Sequence, residues 1–235
     1  PKDNGSDENP ADFTSVIVNP TMASDNGWTD EKSNATFNAD VKAAEIFEKE
    51  SYNVYQKVTG LAEGLYEFQV NGFYRAGAIA EDWPAVAAET ESNAMMYVIN
   101  DNKTAEKEED FWGADTIDCP LRHISTEAVN EDPSISGTTT FMPFEELGDK
   151  TPWYMPNTMA SGAEFFNAGS YVNVIRVYVW GPDDTITFGV KKNGPAIASD
   201  WCMVTNWKLT GYGNMSEKDP GAVTNSCDPA SPVFN

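Results

Sequence analysis

The chain has 235 residues, with 37 acidic against 15 basic, a formal charge of −22 and 12% aromatic side chains. So acidic a surface repels phosphate backbones and anionic lipid, which argues against nucleic acid and membrane surfaces as partners. Seven Trp, nine Tyr and twelve Phe argue against a disordered chain, and the length suits a single β-rich domain.

Residues 1–13, PKDNGSDENPADF, are polar and rich in Pro, Asp and Asn, which is linker chemistry that tethers a domain to a neighbour. The segment TSVIVNP predicts a first strand stopped at Asn19-Pro20. The sequence DNGW, Asp25 to Trp28, predicts a tight turn into a buried ring. Residues 41–50, VKAAEIFEKE, place Val41, Ala44 and Phe47 on one side of a short capping helix. Tyr52, Val54, Gln56 and Val58 then alternate with Asn53, Tyr55 and Lys57, and a turn at Ala62-Glu63-Gly64 leads into GLYEFQVNGFYRAG. These two strands are expected to pair as an antiparallel hairpin.

The second of them raises a question. Tyr66, Phe68 and Val70 define an apolar face, and Glu67, Gln69 and Asn71 a polar one. The polar face continues as Phe73 and Arg75, where water alone would not call for an aromatic ring and a planar cation.

A loop containing EDWPA follows, and then the strand NAMMYVIN. From about 101 to 157 periodicity is lost, yet Phe111, Trp112, Phe141, Phe144, Trp153 and Tyr154 recur, which suits an ordered flap. NTMASGAEFFNAG predicts a short helix capped by Asn157 and stopped by Gly169. YVNVIRVYVW and TITFGVKK predict two strong strands joined as a hairpin by GPDD. A last strand sets Trp201, Met203, Thr205, Trp207 and Leu209 on one side. Residues 214–235 return to linker chemistry, leaving 14–213 as the domain.

No internal repeat is present, and seven or eight strands with one or two helical turns define an all-β fold: an antiparallel β-sandwich of jelly-roll type with a long irregular insertion. Its first and last strands are expected to lie near each other. Cys119, Cys202 and Cys227 show neither zinc spacing nor a disulfide framework. No apolar run reaches membrane-spanning length, and the first residues lack a signal-peptide pattern, as in a mature chain or a piece of a longer one. Few Lys and Arg among many Asp, Asn, Ser and Thr fit an exported protein.

The landmarks TSVIVNPTM, YNVYQKVTGLAEGLYEFQVNGFYRAG, MPNTMASGAEFFNAGSYVNVIRVYV, ITFGVKKNG and DWCMVTNWKLTGYG span most of residues 14–213. In order and character they resemble the galactose-binding-domain-like jelly rolls of exported gut-bacterial proteins that handle polysaccharides. The resemblance implies a carbohydrate-binding or adhesive module, secreted or held at the cell surface beside other domains. It also implies a structural calcium ion near Asn19, Asp25 and Asp200, with Asn206 where some relatives carry an Asp, a change that weakens a hard-cation site.

A glycan site needs aromatic faces for pyranose rings and planar polar groups for paired hydroxyls. The candidates are Tyr74, Arg75, Trp83, Trp112, Trp153 and Tyr154. The alternative for each ring is burial beneath long loops. For Arg75 it is a structural ion pair with Glu81 or Asp82. A structural or protein-interaction domain is therefore the second reading. Enzyme signatures are absent: His123 stands alone, no serine-hydrolase, P-loop, zinc-protease or dinucleotide fingerprint occurs, and the acids at 106–110 and 145–146 suit solvated surface more than glycoside hydrolysis.

Overall fold

The computed structural model describes residues 4–77, 93–102, 116–123, 139–143 and 152–214. Two antiparallel sheets face each other, as the alternation requires. The first runs in spatial order β12 (Val172–Val179), β6 (Gly64–Arg75), β14 (Trp201–Gly211), β4 (Ala43–Phe47) and β3 (Thr36–Asn38). Short β1 (Ala11–Asp12) joins β14, and β9 (Arg122–His123) lies parallel to the end of β6. The second sheet runs β2 (Thr29–Asp30), β5 (Tyr52–Thr59), β13 (Thr185–Lys192), β7 (Ala94–Asn100) and β8 (Thr116–Pro120). A separate ladder pairs β10 (Thr139–Pro143) with β11 (Pro152–Pro156), and the helix α1 (Met159–Asn167) follows.

Between the sheets the core is aromatic. Phe68 of β6 meets Phe188 of β13 at 4.8 Å between ring centroids, Trp207 lies 5.1 Å from Phe188, and Trp28 lies 5.6 Å from Trp207. The DNGW turn delivers Trp28 to this place as expected. Trp28 N donates to Asp25 O, and Gly27 supplies the positive φ of 83°.

Neither expected hairpin forms. β5 pairs with β13 and β2, whereas β6 pairs with β12 and β14, so the 60–63 turn crosses from one sheet to the other. The GPDD turn crosses likewise between β12 and β13. The two crossings meet where Gly60 N donates to Pro182 O. Buried Asp184 stabilises the second by accepting from Trp180 N and Asn100 Nδ2, both at 2.7 Å. Turn residues fix the reversal of the chain and leave open whether its two arms share a sheet.

Three further expectations change. TSVIVNP holds a 3-10 turn, Thr14–Val16, instead of a strand, with Val16 and Val18 exposed and Ile17 buried. The segment expected as a capping helix contains β4, because Ala44 and Ile46 enter the main core while Ala43 enters a smaller cluster on the opposite face. In β14 the single apolar side splits. The register shifts between Thr205 and Lys208, with Asn206 at φ 54°, so Trp201 and Met203 face outward to the smaller cluster while Trp207 and Leu209 face the main core. A bulge inserts one residue and reverses the alternation beyond it.

The N-terminal segment lies along β14 through residues expected to be linker, since the expected first strand is a 3-10 turn. Ala11 pairs with Gly211, Phe13 N donates to Leu209 O, and Gly213 N donates to Asn4 O. Part of the segment with linker composition is thus laid on the sheet.

Candidate functional site

The end of β6 answers the question its sequence raised. Phe73 is fully buried on the outer face of the first sheet, where its ring lies 4.9 Å from Trp201, 5.3 Å from Tyr171 and 5.6 Å from Phe166. Helix α1 covers this face. The helix starts at Thr158, one residue later than expected, in a capping box: Ser161 N donates to Thr158 Oγ1, and Thr158 N to Ser161 Oγ.

That shift releases Asn157 for another task. Arg75 Nη1 donates to Asn157 Oδ1 at 2.9 Å, and the guanidinium lies 5.1 Å above the Trp201 ring. Trp201 Nε1 in turn donates to Glu45 Oε2 at 2.9 Å. Phe47, Trp201 and Arg75 are register partners across β4, β14 and β6, forming one row at the rim of the sheet. Arg75 and Trp201 are 6% and 3% exposed, whereas Phe47 is 44% exposed. The expected carboxylate partners, Glu81 and Asp82, lie outside the described residues.

Tyr74 points the other way, into the core, and is 1% exposed. Its hydroxyl donates to Asp200 Oδ2 at 2.9 Å, and the same carboxylate pairs with Lys192 Nζ. Lys192 also donates to Lys49 O at 2.8 Å and stands 5.7 Å from the Tyr74 ring. Tyr52 and Cys202 complete this interior cluster. Burial pushes the Cys202 thiol up to about 12 and raises the Tyr52 and Tyr74 hydroxyls as well. Tyr74 is therefore withdrawn from any solvent-facing site.

Asp200, one of the three residues near which calcium was expected, is committed to this interior pair. Its charge is neutralised by Lys192 inside the sandwich, while Asn19 is occupied in its own turn, donating to Ser24 O and accepting from Ala23 N. Among the described residues no group of three His, Cys, Asp or Glu side chains is placed to hold a metal ion.

Of the loop aromatics, Trp83 and Trp112 lie outside the described residues, and Trp153 and Tyr154 fall on β11 opposite Met142 and Phe141. Residues 78–92 depart just beyond Arg75 and return at β7, whose Ala94 pairs with Lys192. β11 ends next to Asn157, at that same rim. Residues 103–115 instead follow Asn100, which pairs with Ile186, and precede Thr116, which pairs with Ile99, at the opposite end. Trp153 and Tyr154 thus lie on a strand that ends beside the residue holding Arg75. Asn157 was read only as a helix cap and Phe47 only as a helix face. The spacing of Phe47 from Ala43 and Glu45 along a strand was the missed signal.

No family model matches the chain, and no curated protein matches it. Among solved structures, the carbohydrate-binding module TmCBM61, in complex with beta-1,4-galactotriose, aligns over 83% of this chain and 96% of its own, with 10% identity and a TM-score of 0.40. A Bacteroides thetaiotaomicron protein described as a candidate sugar-binding protein aligns over 83% of this chain and 92% of its own, with 10% identity and a TM-score of 0.31. Neither value bears on what this chain binds. The fold itself is an all-β antiparallel sandwich.

Proposed function

We propose that this chain is a non-catalytic carbohydrate-binding module of a larger secreted or cell-surface protein. The observation that carries the reading is the Arg75 to Asn157 hydrogen bond. It ties the end of β6, which opens the segment bearing Trp83, to the end of β11, which bears Trp153 and Tyr154. Aromatic rings presented by connections on a rigid sandwich suit stacking against sugar faces. Arg75 acts in this reading as a positioning residue, buried and stacked on Trp201, and Phe47 supplies an exposed ring beside it. Asn4 and Gly213 meet at the other end of the sandwich, which suits attachment to neighbouring domains away from the rim.

The second reading, a structural or adhesive domain, draws on the burial of Tyr74 and Arg75. A glycan array together with a reducing-end assay separates the readings. The module binds at least one neutral polysaccharide without releasing sugar, and Trp153→Ala or Trp83→Ala abolishes binding. Silence across the array favours the structural domain, and sugar release favours a hydrolase.

A further inference from the structure

A cavity of about 340 Å³ opens on the outer face of the first sheet, between α1 and the turn joining β3 to β4. The turn supplies Asp40, Val41 and Lys42, and the helix supplies Ala163, Glu164 and Asn167. Thr21 and the bulge residue Asn206 close the remaining side.

The cleft is preformed. Thr205 Oγ1 lies 2.6 Å from Lys42 O and 3.0 Å from Thr21 O, drawing three chain segments together. Asn38 Oδ1 accepts from Asp40 N and Val41 N, and Asn38 Nδ2 reaches Met159 Sδ at the start of α1. Lys42 and Asn206 both hold φ 54°, a left-handed conformation that costs non-glycine residues energy and that persists where the surroundings enforce it. The bulge aims Asn206 at the cleft.

Among the described residues, no hydrogen bond or ion pair occupies the side chains of Asp40, Lys42, Glu164, Asn167 or Asn206. Two carboxylates, two amides and one ammonium therefore line one cavity, open to solvent and to a ligand's hydroxyls. Val41 and Ala163 give it an apolar wall.

We propose that this cleft is a second glycan-binding site that takes a single neutral sugar residue, a proposal that rests on the carbohydrate-binding reading above. Carboxylates and amides hydrogen-bond adjacent hydroxyls in pairs, and the apolar wall accepts the C–H face of a pyranose. The volume sits at the low end of the roughly 300–1,000 Å³ range of ligand sites, which suits one ring instead of a chain. Asp40 and Glu164 outnumber Lys42 on a protein of net charge −22, so uronic acids and sulfated sugars are repelled.

The test titrates the full chain with galactose, glucose, mannose and xylose, and with glucuronate and galacturonate, following amide shifts by NMR. At least one neutral sugar shifts the amides of residues 40–42 and 164–167, and the uronates bind about tenfold more weakly or worse. Asn206→Gly and Glu164→Gln each weaken the neutral sugar about tenfold. Glycine suits φ 54°, so Asn206→Gly keeps or raises the melting temperature and a folding defect cannot account for its loss of binding. Uronate binding as tight as that of the neutral sugars overturns the proposal. So does unchanged binding in both cleft variants; if Trp153→Ala still removes polysaccharide binding, the carbohydrate reading stands while the cleft falls. Failure of the wild-type chain to bind any sugar or polysaccharide overturns both.

Discussion

Lys192 and Asp200 form an ion pair in the interior of the sandwich, with side chains 0% and 3% exposed, linking the end of one sheet's central strand to the start of the other's. Such a pair is costly to desolvate and costlier to break, because removing one partner strands the other charge in a low dielectric. Lys192→Met and Asp200→Ala are each expected to lower stability by about 3–5 kcal/mol. The double variant Lys192→Met/Asp200→Leu recovers much of that loss. Urea unfolding followed by tryptophan fluorescence provides the check, and single variants as stable as wild type would show the pair to be more hydrated than its burial implies.

The cluster around this pair also sets a pH dependence. Folding lifts the Cys202 thiol from 9.0 to about 12 through burial and raises Tyr52 and Tyr74 in the same direction. The folded state thus keeps protons that the unfolded chain releases. This contribution is fully present below pH 9 and is lost as pH rises toward about 12. The urea midpoint is expected to fall between about pH 9 and about pH 12, and Cys202→Ala to flatten that part of the decline. The native thiol should also resist alkylation near neutral pH and react once the chain unfolds.

Gly189 lies opposite Tyr55 in the pairing of β13 with β5. A Cβ there would sit 2.2 Å from Val54 O and 2.8 Å from Tyr55 Cα, both backbone atoms that cannot step aside. Gly189→Ala is expected to cost about 3 kcal/mol or more, a larger penalty than alanine normally carries in a strand. Thermal unfolding reports it directly, and a loss below about 1 kcal/mol would mean that the two strands can separate locally.

The alternation of Tyr66, Phe68 and Val70, the ring at Trp28 and the stop at Gly169 were all legible because each depends on local geometry. Strand partners were not. Ala62-Glu63-Gly64 and GPDD reverse the chain whether or not the next strand joins the same sheet, and here both lead across the core. β4 resembled a helix because burial on both faces erases the period of two, leaving Val41, Ala44 and Phe47 to suggest a helical stripe. The bulge at Thr205 to Lys208 was invisible for a related reason: one inserted residue reverses every side chain beyond it while composition stays the same. Of the candidate site, the oddity of Phe73 and Arg75 was legible but their partners were not, since Asn157, Trp201 and Glu45 are brought together only by the tertiary fold.

The cap that frees Asn157 offers a further check on the rim. Thr158→Ala removes an acceptor for Ser161 N and is expected to cost about 1 kcal/mol in stability. Asn157→Ala leaves that cap in place but removes the Asn157 acceptor from Arg75, so its effect should fall on glycan binding more than on the unfolding midpoint. Comparing the two variants by denaturation and by binding separates a rim that only holds the helix from one that also positions the connections around it.

Affinity electrophoresis in gels cast with individual polysaccharides tests the central claim most directly, with free reducing ends measured in the same mixtures. The account predicts retardation by at least one neutral polysaccharide, lost in Trp153→Ala, with no increase in reducing ends. Unretarded migration in every gel, or reducing ends that accumulate and stop on substitution of a single carboxylate, would contradict it.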